Sequence, residues 1–271
     1  MSAPIGSTDR DAQFDLDQRL SVASLHGEAT EVRELLLKGA CPSAFGSASV
    51  QMAAERGNAE CLALLLAGSL PMDDCSRALA SAARGGHADC VKLLIPVASP
   101  SAHDFQAIRL AAEAGDAECV KLLIPSALGG GPQATVPALL AAASNGHPDC
   151  LRLLAASSSA PRDALLAALG LAACFGHESC AIILLPLSGS LLGSASPLDI
   201  ALRGGHVGIV SAMLAYEPGI APLLCKPKNL ARARRGGHQE LASLLVSLAE
   251  SQSLAGSCPP APASMLPSPR L

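Results

Sequence analysis

Apolar positions recur along this chain with a period of about thirty residues, too long for any single helix or strand. Gly27, Gly57, Gly86, Gly115, Gly146, Gly176, Gly205 and Gly237 stand 29 to 32 residues apart. Seven positions before each glycine is a large aliphatic residue, from Leu20 and Val50 through to Leu230. Eight positions after each is another large apolar one, from Leu35 to Leu245. Three markers agreeing over eight copies predict a stacked array rather than a domain closed around one core.

Each unit reads as two short helices. In Ser76–Gly85, Leu79, Ala82 and Ala83 fall on one face, and the glycine that follows supplies the left-handed backbone that closes a helix. The second helix starts just beyond it. Glu60, Asp89, Glu118 and Asp149 place a carboxylate in its first turn, where the helix dipole favours negative charge. Val91, Leu94 and Ile95 mark its buried side, and Pro96, Pro125 and Pro186 are expected to stop it. Paired alanines such as Ala82-Ala83 and Ala111-Ala112 let neighbouring units approach closely. A lone unit cannot bury its apolar face, so the units must stack. The array is expected over residues 14–250 in eight units. Residues 1–13, acidic and polar, and 251–271, rich in Pro and Ser, are expected to be disordered.

The repeated Ala-Ala-x-x-Gly-His-x-x-Cys-Val-Lys-Leu-Leu stretch resembles the ankyrin repeat. Ser196-Pro197-Leu198-Asp199-Ile200-Ala201 is similar to the start of that family's unit, and Gly39-Ala40-Cys41-Pro42-Ser43 to its turn. The resemblance implies an all-α solenoid that binds other proteins. Two departures qualify it. The histidine of the family's Thr-Pro-Leu-His start is replaced by Ala80, Arg109, Leu140, Gly170 and Ala231, which should weaken the bonds tying loop to helix. The units are also shorter than the family's usual length and mostly lack its turn, so the β-hairpin loops are expected to be reduced.

Composition then narrows the function. Half of the 271 residues are hydrophobic but only 2% are aromatic, so the interior must be Ala, Leu, Val and Ile. A net charge of -4 argues against a dedicated nucleic-acid binder. No run of 18 apolar residues indicates a membrane span, and no secretory leader is visible. Ten cysteines without a leader read as reduced thiols, so a cytoplasmic location is expected; the alternative, a bacterial effector-type protein delivered into a host cell to act on host proteins, is compatible with the polar N-terminus. Cys61, Cys90, Cys119, Cys150 and Cys180 occupy one repeat position, too far apart between stacked helices for disulfides. His87, His147, His177, His206 and His238 each follow a repeat glycine and so sit in different layers, unable to converge on one metal ion.

No phosphate loop, nucleophile elbow or zinc-protease motif is present. The rival enzymatic reading would use Cys174, His177 and Cys180, gathered around one turn. Lys226, Lys228, Arg232, Arg234 and Arg235 give the last unit a basic stretch, read either as a solvated end cap or as a docking site for an acidic partner. A nucleic-acid accessory role through residues 226–235 is a third reading. Specificity should reside in the variable residues just before the glycines, on the concave side that the resemblance implies. Arg56, Arg84, Glu113, Asn145, Phe175, Arg203 and Arg235, with Arg232 beside them, are the candidate partner-binding residues, Phe175 being the plausible aromatic anchor. The expected function is a non-enzymatic, monomeric scaffold binding another protein, with no cofactor and no metal.

Overall fold

The computed structural model describes residues 7–131, 134–157, 160–191 and 195–256. Helices come in pairs. The first four units are α1 (Ser7–His26) with α2 (Ala29–Leu37), α3 (Ala44–Arg56) with α4 (Ala59–Leu66), α5 (Met72–Arg84) with α6 (Ala88–Leu94), and α7 (Ala102–Ala114) with α8 (Ala117–Leu128). The next three are α9 (Val136–Asn145) with α10 (Pro148–Ser157), α11 (Arg162–Phe175) with α12 (Glu178–Ser188), and α13 (Ala195–Gly204) with α14 (Val207–Tyr216). A 3-10 turn (Pro218–Ile220) and the one-turn helix α15 (Ala221–Leu224) then precede the last pair, α16 (Pro227–Arg235) and α17 (Gln239–Gly256). Among the described residues there is no strand, and the connections are plain loops.

The odd-numbered helices from α1 to α13 pack on one another in sequence, and α16 continues that layer. The second helices of the pairs, α2 through α14 and then α17, form the other layer. One continuous apolar cluster runs between the layers. Leu20, Leu79, Leu139 and Leu169 enter it from the first helices, and Leu35, Leu65, Leu94 and Leu154 from the second. The alanine pairs Ala53-Ala54, Ala82-Ala83, Ala111-Ala112, Ala142-Ala143 and Ala172-Ala173 have no exposed surface, as expected of contacts between closely stacked helices.

Two boundaries differ from those the sequence suggests. Helix α1 begins at Ser7, inside the stretch expected to be disordered, because its first half is tied down. Gln13 Nε2 donates to Asp17 Oδ1 (2.8 Å) and to the Gly39 carbonyl (3.1 Å), and Asp17 Oδ1 accepts from the Cys41 N–H (2.7 Å). At the other end α17 runs to Gly256, since Ser247 and Ser251 return their hydroxyls to carbonyls three residues back and leave the helix intact. Residues 1–6 and 257–271 lie outside the described residues.

The prolines divide as well. Pro96 follows the end of α6 as expected, whereas Pro125 and Pro186 lie inside α8 and α12. Each removes one main-chain donor, but the turn beyond it is buried through Ala127 in α8 and Ser188 in α12. Ser188 Oγ also donates to the Leu185 carbonyl at 3.0 Å.

Candidate functional site

The candidate residues stand at the turn between the two helices of a unit, and that turn has a repeated construction. Gly57, Gly115, Gly146 and Gly176 close the first helices with φ between +75° and +83°. In most units a histidine follows and opens the second helix. Its ring lies over the glycine of the preceding unit. A Cβ on Gly57 would stand 2.5 Å from His87 Nδ1, and one on Gly115 or Gly146 equally close to His147 or His177. These glycines are needed twice, for the backbone and for the space.

The same rings reach across the junction through Nε2. His87 bonds the Glu55 carbonyl (2.9 Å), His147 that of Glu113 (3.0 Å), His177 that of Ser144 (3.0 Å) and His206 that of Cys174 (3.4 Å). Each acceptor lies two places before the preceding unit's glycine. Asn58 plays the part at the first junction, its Nδ2 donating to Ser24 and Leu25 carbonyls. Asp116 cannot, since a carboxylate has no hydrogen to give. It turns back to accept the Cys119 N–H of its own helix at 2.7 Å. Four members of the histidine row, His87, His147, His177 and His206, are thus ties between units. Among the described residues, no group of three or more His, Cys, Asp or Glu is placed to hold a metal ion.

Where a ring crosses, this construction pins the main chain at or beside the variable side chain, as at Arg56, Glu113, Asn145 and Phe175. Arg56, Arg84, Glu113, Asn145, Phe175, Arg203 and Arg235 are all exposed, one per unit from the second to the eighth. They are not equivalent. Glu113 pairs with Arg109 (3.0 Å), and Asn145 Nδ2 returns to the Ala141 carbonyl (2.9 Å), so both are partly engaged within their own helix. Phe175 is 58% exposed and stacks beside His177, ring centroids 6.2 Å apart. Arg235 Nε donates to the Ala231 carbonyl at 3.3 Å. Arg203 and Arg232 converge on Asp199, linking α13 to α16, and Arg232 is consequently half-buried. Hydrogen bonds from Arg203, then Arg232, hold the Asp199 carboxyl below its usual range against the opposing effect of burial.

Two features were missed in the sequence. One is the Asp199 cluster, since Asp199 and Arg232 are 33 residues apart. Asp199 occupies the slot of the family's histidine, and an acid there one unit before an arginine was the available signal. The other is a second aromatic feature. Phe14 and Phe45, 55% and 52% exposed, meet edge to face with centroids 5.2 Å apart at the start of the array. Phe45 belongs to a left-handed turn with Gly46 and Ser47 (φ 53°, 64° and 57°), which no sequence pattern announced. Ser47 Oγ anchors it by donating to Asp74 Oδ2 at 2.6 Å, and Arg77 pairs with the same carboxylate.

The cysteines of the repeat position are wholly buried. Desolvation pushes the Cys90 and Cys150 thiols up to about 11 and Cys119 to about 12. Cys180 moves in the same direction. At the turn proposed for thiol chemistry, Cys174 is exposed, Cys180 faces the core, and His177 is committed to the Ser144 carbonyl. The three do not form a nucleophile with its base. Among the described residues no single helix is long and apolar enough to cross a membrane.

Paired helices, a left-handed glycine at each turn and one shared core define a solenoid of helix-turn-helix repeats. A family model described as ankyrin repeats (3 copies) matches residues 20–104 and again 108–192. The chain therefore belongs to the ankyrin-repeat family. Comparison with curated proteins gives no match. Among solved structures, the human ASB11 ankyrin repeat domain is similar in fold, with a TM-score of 0.61 and 22% identity over 73% of this chain and 97% of that one. Ankyrin repeats are generally protein–protein interaction modules and typically non-enzymatic.

Proposed function

We propose that this chain is a non-enzymatic scaffold that docks another protein on the exposed residues ending its first helices. The observation that carries the reading is the exposed side chain that ends each first helix and changes from unit to unit, with the main chain at or beside Arg56, Glu113, Asn145 and Phe175 hydrogen-bonded to the next unit's histidine. Arg56, Arg84, Phe175 and Arg235 are the contacts expected to matter most, because Glu113 and Asn145 are partly engaged locally and interface energy concentrates on Arg and aromatic residues. A rigid support lowers the ordering cost of binding. A monomeric state and a cytoplasmic location belong to this reading; the location draws on repeat-position cysteines packed as free thiols in the core. The test is affinity capture with the full chain and with Arg56→Glu/Arg84→Glu. A partner held by the native chain and released by the double variant supports the proposal. A partner held equally by both overturns it for this face.

A further inference from the structure

The last junction of the array differs from those before it. Between α14 and α16 the chain inserts the 3-10 turn and α15, and α16 meets α13 over less of its length than the earlier first helices meet one another. A groove of ≈ 470 Å³ opens there, with Leu198, Leu202 and Leu223 contributing apolar surface and Arg203, Lys226 and Lys228 the cations. Asn229, itself buried, fixes one wall by donating Nδ2 to the Leu223 carbonyl at 2.8 Å. The carboxylate in the lining, Asp199, is already occupied by Arg203 and Arg232. Lys226 and Lys228 are exposed.

The surrounding charge selects the ligand. Residues 203–256 hold six Lys and Arg against three Asp and Glu, whereas residues 1–202 hold twelve against twenty. A long polyanion running out of the groove would meet the negative remainder of the array; a short anionic segment would not. An apolar surface beside two lysines suits an aliphatic side chain flanked by carboxylates.

We propose that this groove binds a short acidic peptide segment of a partner protein, one apolar side chain entering against Leu198, Leu202 and Leu223 and its flanking Asp or Glu residues pairing with Lys226 and Lys228. The inference deepens the scaffold reading and rests on it, but uses residues outside the Arg56–Arg84 test. The probe is a fluorescein-labelled peptide of Asp and Glu around a central Leu, titrated with the full chain by fluorescence anisotropy. Saturable binding is expected, weakened about tenfold by Lys226→Glu/Lys228→Glu and abolished when the peptide's acids become Asn and Gln. Arg234→Glu changes charge on the same helix but outside the groove and should leave the affinity within about twofold. Equal weakening by Arg234→Glu would reduce the effect to general charge and overturn the proposal. So would tighter binding of single-stranded DNA or of phosphatidylserine vesicles at the same lysines, or self-association of the chain that the lysine variant abolishes. If the peptide fails to bind while Arg56→Glu/Arg84→Glu still releases a captured partner, the groove inference falls and the scaffold reading stands.

Discussion

Replacing Gly115 by alanine tests the construction of the junction directly. The residue sits at φ +83°, and a new Cβ would lie 2.5 Å from His147 Nδ1. A left-handed alanine costs about 1–2 kcal/mol by itself. Displacing the ring adds the loss of its bond to the Glu113 carbonyl, about 1 kcal/mol net, for a total of about 2–3 kcal/mol. In a His147→Ala background the ring is gone, so Gly115→Ala should cost only the backbone part, about 1–2 kcal/mol. The double-mutant cycle should therefore show a coupling of about 1 kcal/mol. With no Trp and one Tyr in the chain, helical circular dichroism is the appropriate signal for urea unfolding, fitted with nearest-neighbour terms for a repeat array. If the two substitutions add within about 0.4 kcal/mol, the ring and the glycine do not meet as described and the tie between units fails.

Four further outcomes follow from the same structure. Asp199→Asn should flatten the acid limb of the stability profile: the folded pKa lies below the ordinary 3.8, so the native carboxylate contributes above that value and its contribution fades as pH falls through the lower folded value, as thermal unfolding across the acid range would show. Ala112→Leu, at a site with no exposed surface, should destabilise by about 1–3 kcal/mol through overpacking between stacked helices; an unchanged melting temperature would contradict the close approach. Among the described cysteines, Cys41 and Cys174 should be alkylated first in the native chain and Cys90, Cys119 and Cys150 last, read by peptide mass spectrometry; rapid labelling of Cys180 would revive the thiol-enzyme reading. Ser47→Ala should weaken the left-handed turn at Phe45 by removing its bond to Asp74, costing about 1–3 kcal/mol for a buried charge-assisted contact, measured by the same urea titration.

The period was legible because it is written eight times: each copy repeats the aliphatic, paired-alanine and glycine positions, and stacking obeys those positions alone. The positions of Arg56, Arg84 and Phe175 could also be read, since their distance from the glycine is fixed. What those side chains touch could not. Asp199 with Arg232, and His147 with Glu113, are contacts across a junction, more than thirty residues apart in the chain, and the spacing fixes the layers without fixing which atoms meet. Local rules misled at Pro125 and Pro186, where burial of the following turn outweighs the lost hydrogen bond, and at Ser7–Gln13, where side-chain bonds to the next loop order a stretch whose composition reads as disordered. The Phe45–Ser47 turn had no signal, because two of its three residues normally avoid left-handed backbone.

Asp116 breaks the regular lacing of the rod. At five of the other junctions a ring or an amide crosses from one brick to the one before; here the carboxylate folds back on its own helix. The third and fourth bricks are therefore held by packing without that stitch. When the rod is stretched or begins to melt, this seam should part before the other junctions among the first seven bricks, leaving a short block of three.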